Sequence, residues 1–192
     1  MSVQMTGHGD GAFANAATPS KDRGPTLRDY LAVTVGLVLF GLAMVCLRSF
    51  AGDESLAPQS LLAPQLALAG LIALVWLSMV IVRNYAILRR LIDGAYYRDY
   101  QGEAPPDWIE RPARTYTNLL ESPPLFFVVC LLMMVTQRVD SAQLAFAWVF
   151  VGLRVLHAIV LIGWNYVPLR FAAFVASFAV LITLFVRFAL RC

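Results

Sequence analysis

Five long stretches nearly free of charge divide this chain, and their length constrains everything else it can do. Tyr30–Leu47 runs 18 residues without a charged side chain, and Ser55–Val82 runs 28. Ser122–Gln137 adds 16, Ser141–Leu169 is interrupted only by Arg154, and Phe171–Val186 is a further 16 before Arg187. A hydrocarbon layer of roughly 30 Å needs about 20 residues of helix, and inside it every backbone N–H and C=O must be satisfied within its own segment. The blocks therefore predict five spanning helices near 27–48, 60–91, 112–137, 142–164 and 168–190. A soluble helical core is the alternative. With 59% of residues hydrophobic and only 14% charged, such a core would have almost no wet surface to cover it. The fold class is all-α, an integral membrane helical bundle.

Basic residues orient the bundle. With the N-terminus placed inside, the inner segments carry Lys21, Arg23, Arg28, Arg83, Arg89, Arg90, Arg98, Arg111, Arg114 and Arg170, ten in all. The outer segments carry four, namely Arg48, Arg138, Arg187 and Arg191. That asymmetry puts the N-terminus in the cytoplasm and the C-terminus outside, and the net charge of +3 reports topology rather than nucleic-acid binding. Residues 1–25 are small, polar and rich in Gly and Ala, which reads as a disordered cytoplasmic tail. His8 lies there without a partner, and Cys46, Cys130 and Cys192 have no pairing or C-x-x-C spacing, so no metal site or disulfide framework is expected. The connection 92–111 is broken by Gly94, Gly102 and the Pro105–Pro106 pair. Its Tyr96, Tyr97, Tyr100 and Trp108 suit the headgroup layer, or a lid over a site at that face.

Charge enters the third block deliberately. In "RPARTYTNLLESPP", Arg114, Asn118 and Glu121 stand at i, i+4 and i+7, one face of a helix, with Arg111 at its edge. An Arg at a helix end snorkels to the headgroups, but Glu121 lies about 15 Å further in than Arg111, where an unpaired charge is expensive. Either an ion pair with Arg114 or a neighbouring helix fixes packing there, or the stripe lines a polar pocket. Pro123 and Pro124 then interrupt the helix. The fourth block adds "RVLHAIVLIGWNYVPLR". Arg154 lies near the middle of its span and needs a carboxylate or a cavity, with Glu121 the candidate at matching depth. His157 is one turn beyond it, and Arg170 opens the last helix just after Pro168.

These two blocks resemble the signatures of the MAPEG family, the membrane-associated proteins of eicosanoid and glutathione metabolism. "ERPARTYTNLLE" is similar to E-R-x-x-R-A-x-x-N-x-x-E, and "RVLHAIVLIGWNYVPLR" to R-x-x-H…P-x-R, over about residues 60–190. The resemblance implies a four-helix core within residues 51–192, preceded by an additional transmembrane helix at 26–50 and the tail at 1–25. It also implies a homotrimer in a bacterial inner membrane, binding glutathione between subunits and acting with it on lipophilic electrophiles or lipid hydroperoxides, as a transferase or peroxidase does. Arg114, Asn118 and Glu121 are then expected to hold the charged ends of glutathione, with Arg111, Arg154 and His157 beside them. Arg170 matches an arginine facing the thiol sulfur, and Arg89 or Arg90 a basic residue ending the family's first helix. Leu161, Phe171 and Phe174 stand where members of the family often carry hydroxyl groups, and Thr115 replaces an alanine. Those departures favour a second expectation, a non-catalytic membrane scaffold binding lipid or another membrane complex.

The topology carries its own test. Cys192 should react with an impermeant thiol reagent on sealed cells; shielding there and reactivity only after lysis would reverse the assigned orientation.

Overall fold

A computed structural model describes residues 26–52, 54–92, 96–99 and 104–191; the expected tail at 1–25 and Cys192 lie outside the described residues. The elements are α1 (Leu27–Ala51), a 3-10 turn (Pro58–Leu61), α2 (Leu62–Leu88), α3 (Tyr96–Asp99), α4 (Asp107–Glu121), α5 (Pro123–Val135), α6 (Ser141–Ile162) and α7 (Val167–Ala189). Five segments are long and apolar enough to cross a bilayer: Leu27–Leu47, Pro58–Leu88, Asp107–Val135, Ser141–Ile162 and Val167–Ala189. They match the five blocks of the sequence. The third differs in starting five residues earlier, because Asp107 and Glu110 favour the first turn of a helix by complementing its dipole. Its break falls where the prolines put it. Ser122 keeps a helical backbone (φ −96°, ψ −30°), but Pro123 restarts the hydrogen-bond ladder as α5, so one span is crossed by two helices.

Local chemistry sets the ends of the spans. Asp29 accepts from both the N–H and the hydroxyl of Thr26, at 2.7 and 2.8 Å, and thereby closes the start of α1. Asp140 and Gln143 form a reciprocal capping box on α6, at 2.7 and 2.9 Å. The pattern Asp-x-x-Gln ahead of an apolar run is visible in the sequence and marks that start.

α6 and α7 form the closest-packed pair, an antiparallel hairpin. α2 packs on α4 and α6, α5 on α7 and the 3-10 turn, and α1 on α6 and α7. The main core joins Leu61, Leu68, Phe126, Cys130, Met133, Phe146, Phe150, Val180 and Leu184, with Phe126 stacked on Phe150 at 4.6 Å between ring centres. Two ties hold α1 to this body. Tyr166 in the α6–α7 turn donates to Asp29 at 2.5 Å. At the opposite end, the Ser141 hydroxyl donates to the Gly52 carbonyl at 3.2 Å, the Ser141 N–H to Glu54 C=O at 3.1 Å, and the Leu56 N–H to Val139 C=O at 2.9 Å.

Asp140 is the node of that far end. Besides capping α6, its buried carboxylate takes Arg187 of α7 at 3.2 Å and Arg191 just beyond it. Removing the carboxylate uncaps α6 and takes a buried counter-ion from Arg187 and Arg191, a combination costing about 3 kcal/mol. Asp140→Ala should therefore lower the apparent Tm in detergent by roughly 6–12 °C. Glu54→Ala, which removes an exposed side chain at the same end, should leave the Tm within a degree or two. Equal effects of the two substitutions would deny Asp140 its role.

Candidate functional site

α4 is the most amphipathic helix of the bundle, and its polar face carries the charged stripe. That face is organised by a residue outside the stripe. Asp107 lies four residues before Arg111 and seven before Arg114, so all three share one face. Its carboxylate accepts from Arg111 Nε at 2.7 Å and from Arg114. Arg114 is thus paired with Asp107, not with Glu121. Arg111 also donates to the Gly163 carbonyl at 2.5 Å, which bonds α4 to the α6–α7 turn. Glycine eases this approach: a Cβ on Gly163 would stand 3.0 Å from the Ile159 carbonyl oxygen, a tight contact.

The same turn positions Arg170. Asn165 adopts φ 52°, a left-handed conformation that Asn tolerates better than most residues, and its side-chain oxygen accepts from the Arg170 guanidinium. The Arg170 backbone carbonyl meets His157 Nδ1 at 2.9 Å, locking α6 to the start of α7. Asp107 and Asn165 were not among the residues expected from sequence. Acid at i−4 and i−7 of the two arginines, and an Asn just past a helix end, are the signals that point to them.

Between α4, α6 and α7 lies a cleft of about 490 Å³. Arg114, Thr117 and Asn118 line one wall; His157 and Leu161, with Arg170, Phe171 and Phe174, line the others. Four of the residues singled out in the sequence, Arg114, Asn118, His157 and Arg170, therefore meet in one space. The remaining candidates do not line it. Arg154 is fully buried behind Phe174, its guanidinium 5.1 Å from that ring and 5.7 Å from the Phe150 ring, and none of its three nitrogens donates a hydrogen bond among the described residues. Cation–π contact with two faces stands in for hydrogen bonds. Glu121 is exposed on α4; it acts on Arg154 through space without a hydrogen bond. Arg89 and Arg90 are exposed at the end of α2, Arg89 lying 5.5 Å over the Tyr85 ring.

Another basic residue of α2 reaches the polar end of α4. Arg83 pairs with Glu110 at 3.1 Å and lies 4.6 Å over the Tyr97 ring, while the Tyr97 hydroxyl donates to Glu110 at 3.0 Å. Burial, then the bond to Glu110, push the Tyr97 phenol up to about 12, so it remains a donor throughout the physiological range. Part of the 92–111 connection is in this way clamped onto α2 and α4.

The cleft offers two guanidinium groups, a side-chain amide and a buried imidazole whose Nε2 has no hydrogen-bond partner among the described residues. Its opposite wall is apolar. Such a space suits a small ligand with carboxylate groups at one side and an uncharged reacting end at the other.

Residues 61–190 match the family model described as MAPEG family. No curated protein and no solved structure matches the chain. The matched region takes in α2 to α7 and every residue lining the cleft, and leaves α1 outside. The chain belongs to the MAPEG family, as an all-helical integral membrane bundle with one further helix ahead of the matched region.

Proposed function

We propose that the cleft binds glutathione and that the protein transfers its thiol to a lipophilic electrophile or uses it to reduce a lipid hydroperoxide. The observation that carries this reading is the convergence of Arg114 and Asn118 from α4 with Arg170 from α7 on one cleft. Its volume lies within the range of about 300–1,000 Å³ usual for small-molecule sites. Arg114 and Asn118 suit a carboxylate and an adjacent amide. Arg170, across the cleft beside Phe171 and Phe174, suits the sulfur end.

The chemistry asked of Arg170 is electrostatic. A thiol of pKa about 8.5 is mostly protonated at neutral pH, and a guanidinium beside it favours the thiolate. Arg serves because it stays charged when partly desolvated. The thiolate sulfur then attacks an electrophilic carbon, forming a C–S bond as the leaving group departs with the electron pair. With a hydroperoxide it attacks oxygen instead; the O–O bond breaks, the alkoxide takes a proton, and a second thiol completes a disulfide and water.

The amine of glutathione needs an acceptor, and none of the residues lining the cleft is acidic. Glu121 is exposed, inside an apolar span, and makes no hydrogen bond among the described residues. A carboxylate so placed is costly in lipid unless a neighbour meets it. That supports a homotrimer in which α4 faces another subunit and the site is completed between chains. A second reading, a non-catalytic scaffold, is favoured by the sulfur side of the cleft. Leu161, Phe171 and Phe174 bring no hydroxyl there, and Thr117, the one hydroxyl in the lining, donates to the Ala113 carbonyl at 3.2 Å.

Glutathione should raise the apparent Tm of the detergent-purified protein, and mass measurement in mild detergent should return a trimer. A monomer, or no stabilisation, overturns the shared thiol site. Chemistry is separated from binding by the ultraviolet absorbance of bound thiolate across pH. Glu121→Ala should weaken glutathione binding about tenfold or more, a loss of about 1.4 kcal/mol or more. Arg170→Ala should retain most of the binding but raise the bound thiol's pKa by about one to three pH units. Binding by the unaltered protein with no thiolate signal at neutral pH would leave the scaffold reading in place.

A further inference from the structure

α1 lies outside the family match and packs along α6 and α7. Phe40 and Met44 of α1 pack on the main core, and beside them runs a groove of about 400 Å³, lined also by Leu37, Gly41 and Val45 of α1 and by Phe146, Ala179 and Thr183 of α6 and α7. Each helix contributing to it is a membrane span, so hydrocarbon rather than water surrounds the opening. Its one hydroxyl, Thr183 Oγ1, is engaged with the Ala179 carbonyl at 2.9 Å. A wholly apolar channel in this setting is complementary to an acyl chain.

The groove has a charged end. Phe146 and Thr183 also line a second cleft of about 160 Å³, whose other walls include Arg187 and Arg191. The two spaces are neighbours along α7, sharing Phe146 and Thr183 as walls, with about 16 Å of helix between Ala176 and Arg187. The Arg187 side chain is only 9% exposed, and that of Arg191 is 34% exposed at the mouth. Asp140 is the acidic member of this cluster and holds both guanidinium groups in place, while Arg138 donates to the Arg191 carbonyl. An apolar slot ending at guanidinium groups at a span boundary has the shape and charge of an anionic amphiphile.

We infer that the groove between α1, α6 and α7 is a binding site for an anionic membrane lipid, one acyl chain lying against Gly41 and Ala179 and the phosphate meeting Arg187 and Arg191. The site is at the opposite end of α7 from the thiol cleft and does not depend on it. It gives α1 a role as the outer wall of a lipid slot that the four-helix core alone would not enclose.

Gly41 supplies a clean test, because a Cβ there meets nothing within 4 Å and a larger side chain can grow into the groove. The full-length protein, delipidated in mild detergent, is titrated with phosphatidylglycerol or with phosphatidylethanolamine of the same chains, and the apparent Tm is read. Phosphatidylglycerol should raise it by several degrees and phosphatidylethanolamine by less than half as much. Gly41→Leu, which fills the slot, and Arg191→Gln, which neutralises its mouth, should each abolish that difference. Equal shifts with the two lipids, or a difference that survives in either variant, overturns the assignment. Should Gly41→Leu fail to fold, Arg191→Gln decides alone.

Discussion

The α6–α7 hairpin is fastened at both ends, and the placing of every other element follows from it. At one end the Asp140 carboxylate caps α6 and takes Arg187 of α7. At the other, His157 of α6 meets the Arg170 carbonyl of α7. Seventeen residues separate Asp140 from His157, and seventeen separate Arg170 from Arg187. Both are lengths of about 26 Å of helix. The two ties therefore agree on a single register, and a slip of one turn would break both. Polar ties have particular value between membrane helices, since apolar side chains gain little by leaving lipid for one another.

That register delivers function to one end of the bundle. It sets Arg170 beside His157, and the bond from Arg111 to the Gly163 carbonyl brings α4 against the same turn. The polar face of α4 closes the cleft from the side. Charge beneath the cleft is handled differently. Arg154 is held by the faces of Phe150 and Phe174, so Phe174 is at once the wall of the cleft and the cover of a buried guanidinium. A phenylalanine in that position is consistent with a structural need as the cover of Arg154.

α1 is a different kind of addition. It is tied at its two ends, by Asp29 to Tyr166 and by Gly52 to Ser141, and between these ties Phe40 and Met44 pack on the main core beside the groove shared with α6 and α7. Its outward residues, among them Leu31, Val38 and Leu42, are apolar and exposed, which suits a helix facing hydrocarbon. With no residue of its span fully buried, α1 borders the core and walls one side of a groove.

How much of this was legible in sequence depends on the range of the forces involved. The number, length and order of the spans were legible because the bilayer reads hydrophobic length directly, residue by residue. The break at Pro123 and the entry of Pro168 into α7 were legible because proline acts on its own backbone. The stripe Arg114–Asn118–Glu121 was legible as one face of a helix, since spacing alone decides that. What each of those charges touches was not. Asp107 takes Arg114, Glu121 is left exposed, and Arg154 lies against aromatic faces with Glu121 acting on it only through space. Those choices are made between helices, by register and by which side chains happen to lie within about 4 Å of one another once the bundle is closed. Sequence thus determined that this chain is a five-span membrane helical protein bearing a charged stripe; only the tertiary structure decided which charges share a cleft, because ion pairing and desolvation depend on distances that no single helix contains.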